Sequence, residues 1–200
     1  MNTTLAIALL AAVAGAPKEQ HVKPLPAPSV FASFQYAVTF NVPEHTSYCP
    51  LPNDWEGSDH GTVIFLEPPA ACYGAGYPSS GRGFEPLATP RIEVFYAYCT
   101  DDSCNATRNT RLFTSKPQLK TTTSDGLSVT TVQALYLADI PAEIDISLVT
   151  TPKDKSKYLG SFLALVASVR TCKATWFDSN KPKKPNYIGH GTPCEKGQWF

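Results

Sequence analysis

The densest group of chemically competent side chains is the polar segment 55–61, in which Ser58, Asp59 and His60 are consecutive. These are the residue types of a hydrolase triad, but neighbours on an extended chain point to opposite sides, whereas a triad converges from separate segments. Asp59 and His60 could instead help to bind a metal together with a distant ligand. The simplest interpretation of segment 55–61 is a turn at the start of a strand. The functional interpretation is a recognition loop that also uses Trp55.

A second candidate is the glycine-rich and serine-rich loop 72–84, which carries Tyr73, Tyr77 and Arg82. Tyrosines among small residues are typical of adaptable binding surfaces, because the rings supply contact area and the small residues supply shape. Arg82 could hold an anion or a carboxylate. The alternative is a structural loop tethered at its base by Cys72.

The chain has six cysteines, and an even number in an exported protein predicts disulfide bridges. Local closure favours Cys99–Cys104, after which Cys49–Cys72 and Cys172–Cys194 would tie loops to neighbouring strands. A zinc site is the rival interpretation. It is disfavoured because there is no Cys-x-x-Cys motif and no histidine at ligand spacing from a cysteine pair.

The N-terminus predicts export. Residues 1–16 contain an apolar core of roughly 10 residues, which is shorter than the about 20 needed to span a bilayer, followed by small residues typical of a cleavage site. Cleavage is expected after Ala14 or Ala16, and a buried first helix or strand is the alternative. We expect a secreted or periplasmic protein with an extended proline-rich leader over 17–30. A single globular domain over 31–200 follows, ending in a basic extended tail.

The charge balance argues against several partner classes. Seventeen basic residues match seventeen acidic ones, so no global basic field attracts nucleic acid. No later stretch has the length of a membrane span, and no motif indicates a cofactor. Asn105 begins a match to the N-glycosylation sequon, and its use depends on the host.

Hydrophobic periodicity predicts an α+β fold: an antiparallel β-sheet of five or six strands, one helix packed on it from the C-terminal half, and disulfide-stapled loops. A helix is expected over 157–169, with Leu159, Phe162, Leu163, Val166 and Val169 on its apolar side. Arg91 and Glu93 share one strand face and can pair, while the even positions of that strand form the core side. The expected strands are Phe34–Val42, Thr62–Leu66, Arg91–Tyr98, Leu127–Leu137, Glu143–Thr150 and a short one within 169–176.

This order of elements resembles the PsbP/DcrB-like secreted α+β domains. The resemblance is carried by the strand ending Phe40-Asn41-Val42-Pro43, by a tryptophan-bearing turn near Trp55, and by a hairpin, helix and short strand ending Ser168-Val169-Arg170. It covers about two thirds of the mature chain, and the cysteine-bearing loops 43–59 and 72–90 depart from the pattern. Because members of that family are mostly binding or assembly factors, the resemblance implies a fold and little chemistry.

Three functions are compatible with the sequence. The favoured one is a secreted or periplasmic binding module that acts on a protein or cell-envelope partner through the loops around Trp55–His60 and Tyr73–Arg82. The alternative is an extracytoplasmic hydrolase or metal-binding protein that uses Asp59 and His60. The third is a self-associating structural component. Since no recognisable nucleophile motif is present, a non-enzymatic role is preferred.

Overall fold

The computed structural model describes residues 23–33, 36–48, 61–69, 89–98, 112–113, 117–137, 141–171 and 187–188. Within these ranges the chain forms eleven strands and one helix, α1 (Lys155–Ser168). The strands are β1 (Leu25–Pro26), β2 (Val30–Ser33), β3 (Val38–Asn41), β4 (Ser47–Tyr48), β5 (Gly61–Phe65), β6 (Arg91–Tyr98), β7 (Lys120–Ser124), β8 (Leu127–Leu137), β9 (Pro141–Thr150), β10 (Arg170–Thr171) and β11 (Tyr187–Ile188).

Seven strands form one antiparallel sheet in the order β1-β4-β5-β6-β9-β8-β7. Strands β8 and β9 are antiparallel neighbours, and β5 lies between β4 and β6. The predicted class, α+β with a large antiparallel sheet and one helix, is therefore confirmed. The expected number of strands was too low, because the polar strand β7 and the two-residue strands β1 and β4 carry no apolar pattern.

The core lies on one side of this sheet. Strand geometry places every second side chain on the same face, so the even positions of β6 and β9 point together. These side chains are at most 3 % exposed, and burying each aliphatic one contributes about 1.5–3 kcal/mol. They are Ile92, Val94, Tyr96, Ile144, Ile146 and Leu148.

A second sheet has the order β10-β3-β2-β11, in which β2 and β3 form an antiparallel hairpin and β11 runs parallel to β2. The continuous strand expected over Phe34–Val42 is wrong. Strand β3 begins only at Val38, because Ala37 adopts a left-handed backbone conformation (φ 51°) in the turn that follows β2. Tyr36, Val38 and Phe40 are nevertheless all buried, as the alternation predicted.

Helix α1 covers the core and contacts both β3 and β9. Its buried residues are Tyr158, Phe162, Leu165 and Val166, while Leu159 and Leu163 are only partly buried. The apolar stripe is therefore rotated slightly from the predicted one. At the helix end, Ser168 Oγ donates a hydrogen bond to the Leu165 carbonyl (2.7 Å) and accepts one from the backbone N–H of Asn41 (2.8 Å). This contact joins the helix end to β3.

Part of the predicted proline-rich leader, Leu25–Pro26, forms a paired strand. These residues pair with Tyr48 and Ser47, and the Ala27 amide donates to the Thr46 carbonyl (2.9 Å). Strand β1 lies at the sheet edge, where a proline needs no ladder partner for its missing N–H. In the described ranges, no helix is long and apolar enough to span a membrane.

Candidate functional site

The predicted site residues fall outside the residues that the structure describes. They are Trp55, Ser58, Asp59 and His60 of the first loop, and Tyr73, Tyr77 and Arg82 of the second. The same holds for Cys49, Cys72, Cys99, Cys104, Cys172 and Cys194. In the sequence, His60 immediately precedes the first residue of β5, and Cys49, Cys99 and Cys172 immediately follow the last residues of β4, β6 and β10. The candidate site therefore consists of residues from the described part of the chain.

The described chain offers one broad surface, the side of the large sheet that faces away from the core and α1. We call it the outer face. Its residues are identified by the register of the paired strands, which places Val63 opposite Glu93, Glu93 opposite Ser147, and Ser147 opposite Thr131. The outer face comprises Gly61, Val63 and Phe65 of β5, Arg91, Glu93 and Phe95 of β6, Glu143, Asp145, Ser147 and Val149 of β9, Val129, Thr131, Gln133 and Leu135 of β8, and Lys120, Thr122 and Ser124 of β7.

The outer face is covered at one end and open at the other. At β5, Val63 and Phe65 are 4 % and 1 % exposed. At β7 and β8, Lys120 and Gln133 are exposed, and Leu135 is 41 % exposed although it is large and apolar. Burial on both faces is normal for a central strand. Among the described residues, the exposed part of the outer face is the end formed by β7, β8 and the adjoining part of β9. We call this end the open half of the outer face.

An ion pair marks the boundary between the two halves. Arg91 Nε donates to Glu93 Oε1 at 2.6 Å, and the two side chains are only 7 % and 19 % exposed. The predicted pairing of these residues is confirmed. Because the pair is largely shielded from water, it differs from an exposed surface pair, which contributes little to stability.

Two carboxylates on β9 lie in an unusual environment. Burial raises the pKa of Asp145, although a hydrogen bond from the Gln133 side chain partly opposes that effect. Asp145 Oδ1 is buried and has no hydrogen-bond partner among the described atoms. Burial and the neighbouring negative charge of Asp145 also raise the pKa of Glu143. Asp145 therefore carries unused hydrogen-bonding capacity at the edge of the open half.

A groove of ≈ 590 Å³ lies on the outer face of β7 and β8. One of its lining residues, Gln133, is opposite Asp145. Next to the groove, the hydroxyl groups of Thr131 and Ser147 are hydrogen-bonded at 2.8 Å. Leu119 in its wall is 42 % exposed. The lining residues are Gln118, Leu119, Lys120, Thr122, Thr131 and Gln133.

The groove presents groups that can donate and accept hydrogen bonds. It presents an ammonium group, two amides and two hydroxyls, with exposed leucine surface nearby. The described part of the chain contains no cluster of three or more histidine, cysteine, aspartate or glutamate side chains that could hold a metal. The groove residues include no histidine or cysteine that could act as a general base or a strong nucleophile. This arrangement can bind and orient a polar partner.

A second polar cluster, outside the outer face, has a structural role. Glu67, just after β5, accepts hydrogen bonds from Lys157 Nζ (2.8 Å) and from the Tyr158 hydroxyl, both in the first turn of α1. These two hydrogen bonds lower the pKa of Glu67. These hydrogen bonds connect the end of β5 to the start of α1.

The groove residues were not predicted from the sequence because their types are those of any solvated strand face. One signal could have located β7: Asp125-Gly126 separates two stretches of β-branched residues and is a typical two-residue hairpin turn. No protein-family model matches the sequence, and neither any curated protein nor any solved structure matches it. The resemblance to PsbP/DcrB-like domains therefore stays a prediction.

Proposed function

We propose that this protein is an exported binding module rather than an enzyme. It engages a protein or cell-envelope partner through the open half of the outer face, together with the predicted recognition loops at 55–60 and 73–82. The observation that carries the proposal is the groove of ≈ 590 Å³ on the outer face of β7 and β8. Its volume is in the range of about 300–1,000 Å³ typical of small-molecule pockets.

The composition of the open half supports recognition of a partner with mixed polarity. Lys120 lies on one side of the groove, while Glu143 and Asp145 lie on the other, beyond Gln133 and Leu135. A partner with complementary charges would gain specificity from these groups. The exposed surfaces of Leu119 and Leu135 supply apolar area for affinity.

Export and disulfide bonding are parts of the same proposal. They are supported by the N-terminal apolar segment and by the even number of cysteines. N-terminal sequencing of the protein released by its host should begin at Gly15 or Pro17. Mass measurement before and after reduction should show the loss of three bridges from the six cysteines. Recovery of an intact N-terminus inside the cell would contradict the export proposal.

The binding surface is tested by site-specific photocrosslinking in the exporting host. A photoreactive amino acid replaces Gln133, which is exposed in the groove, and separately Ala164, which is exposed on α1. We expect one discrete adduct from position 133 and none from position 164. Adducts of equal yield at the two positions, or none at either, would contradict a binding site on the open half.

A further inference from the structure

Strand β7 ends the large sheet with an unshielded edge. All five residues, Lys120–Ser124, are exposed, and β8 is their partner on one side. Among the described residues no strand pairs with the other side. The register with β8 runs through five successive pairs without a bulge, and the strand contains no proline. Bulges and prolines are devices that commonly stop an edge from pairing with another chain, and β7 lacks both.

The turn next to β7 determines which backbone groups point outwards. Ser124 pairs with Leu127, so the turn has two residues, Asp125 and Gly126, and both have positive φ (52° and 76°). In such a type I′ hairpin the flanking pair is hydrogen-bonded, and hydrogen-bonded pairs then alternate along the ladder. Thr122 therefore bonds to β8, whereas the N–H and C=O groups of Thr121 and Thr123 point to the free edge.

We propose that β7 pairs antiparallel with β7 of a second copy of this chain, about a two-fold axis at Thr122. In this register Thr121 faces Thr123 of the partner subunit, so each donates to and accepts from the other, on both sides of the axis. The outward groups of both edges are then satisfied. The pairing joins two seven-stranded sheets into one continuous sheet.

The charged residues at the two ends of β7 favour a second copy of this chain as the partner, in the antiparallel orientation. Lys120 is opposite Ser124 of the partner subunit and beside the partner's Asp125, so each end of the interface brings opposite charges together. A parallel pairing would instead place Lys120 next to Lys120 of the partner subunit. Opposite charges across neighbouring strands stabilise a sheet and like charges destabilise it. Threonines face threonines in the centre, which is a favourable cross-strand pair.

The size of the interface makes the association weak and dependent on concentration. A pair of five-residue strands is small compared with the about 800 Å² per partner of a stable interface. The pairing goes beyond the proposed function, because it requires no ligand in the groove. It places the grooves of the two copies on the same face of the joined sheet, on either side of the two-fold axis.

The test is sedimentation velocity of the full, oxidised chain over a wide range of concentrations. Wild type should pass from monomer to dimer. Thr123→Pro removes an outward N–H without removing a bond to β8, and should weaken association at least about tenfold. The matched variant Thr123→Val keeps that N–H and should associate like wild type. A monomeric wild type at every concentration, or equal association of Thr123→Pro and Thr123→Val, would overturn the proposal.

A charge variant keeps the proposal testable even if the proline variant fails to fold. Lys120→Asp places like charges beside the partner's Asp125 and should also weaken association, while adding Asp125→Asn should restore part of the loss. Asparagine tolerates positive φ, so the turn is retained. Association of Lys120→Asp as strong as that of wild type would overturn the proposal. A chain that stays monomeric and instead binds an extended peptide of another protein along β7 would also overturn it. Gln133→Trp, which fills the groove, should leave association unchanged, so failure of the β7 pairing is distinct from failure of the proposed binding site.

Discussion

The hydroxyl of Tyr136 donates a hydrogen bond to the backbone carbonyl of Tyr36 at 2.8 Å, across 100 positions of the chain. Tyr136 lies in β8 of the large sheet and Tyr36 in the turn that leads into β3 of the second sheet, and both are fully buried. The Tyr36 ring also stacks on Tyr96 and Tyr98 of β6, with ring centroids 5.1 and 4.6 Å away. This hydrogen bond and these ring contacts therefore hold the turn before β3 on the large sheet.

Tyr136→Phe tests that connection. The variant keeps the ring but removes the donor to the Tyr36 carbonyl, which should lower the free energy of unfolding by about 1–2 kcal/mol. The measurement is urea denaturation of wild type and variant, read from the midpoint and slope. Equal stability would show that the hydroxyl does not contribute to joining the two sheets.

Gly61→Ala should be strongly destabilising. Gly61 has φ +150°, and a Cβ at this position would lie 2.0 Å from the Val94 carbonyl oxygen, so the β5–β6 pairing must shift. A loss of at least about 3 kcal/mol is expected, together with reduced yield of folded protein.

The matched control is Gly160→Ala in α1. At that position a Cβ has no heavy atom within 4 Å, so only helix propensity changes. The free energy of unfolding should rise by roughly 0.5–1 kcal/mol. If both alanine variants had the same stability, the close approach of β5 to β6 at Gly61 would be wrong.

Asp145→Asn should stabilise the protein at neutral pH. Burial raises the pKa of Asp145 above its ordinary value of 3.8, so the folded chain holds this proton more tightly than the unfolded chain. The stability linked to this group is complete below the unfolded-state pKa and is lost as pH rises through the folded-state pKa. The asparagine variant avoids that loss and can still accept from Gln133.

The gain from Asp145→Asn is small, because the carboxylate is partly exposed and screened by solvent. We expect roughly a few tenths of a kcal/mol near pH 7 and no gain near pH 3. Thermal melts of both proteins across this range measure the difference. A gain that grows towards acid pH would contradict a raised pKa of Asp145 in the folded chain.

The central strands of the fold could be predicted from the sequence because their side chains alternate between core and solvent. Strands β6 and β8 have the predicted bounds, Arg91–Tyr98 and Leu127–Leu137. Strand β7 could not be found this way, because Lys-Thr-Thr-Thr-Ser lies at an edge where no side chain is buried. The turn before Val38 could not be predicted either, because Tyr36 and Ala37 are buried in it and therefore look like residues of a strand.

The candidate site was less predictable than the fold. Gln133 and Thr131 lie on the solvent-facing side of β8, where polar residues are expected whether or not a partner binds. Only the pairing of β8 with β7 and β9 brings them beside Lys120 and Asp145. The ion pair of Arg91 with Glu93 was predictable, because two residues of one strand at spacing two share a face.

The most direct test of the binding surface is the affinity of the crosslinked partner for two tryptophan variants. Gln133→Trp fills the groove on the outer face, and Ala164→Trp adds the same side chain to an exposed position of α1. Titration calorimetry should show affinity reduced at least about tenfold for Gln133→Trp and unchanged for Ala164→Trp, with both proteins folded at the temperature of the titration. Unchanged affinity of Gln133→Trp would contradict the account, because the partner would then bind elsewhere on the molecule.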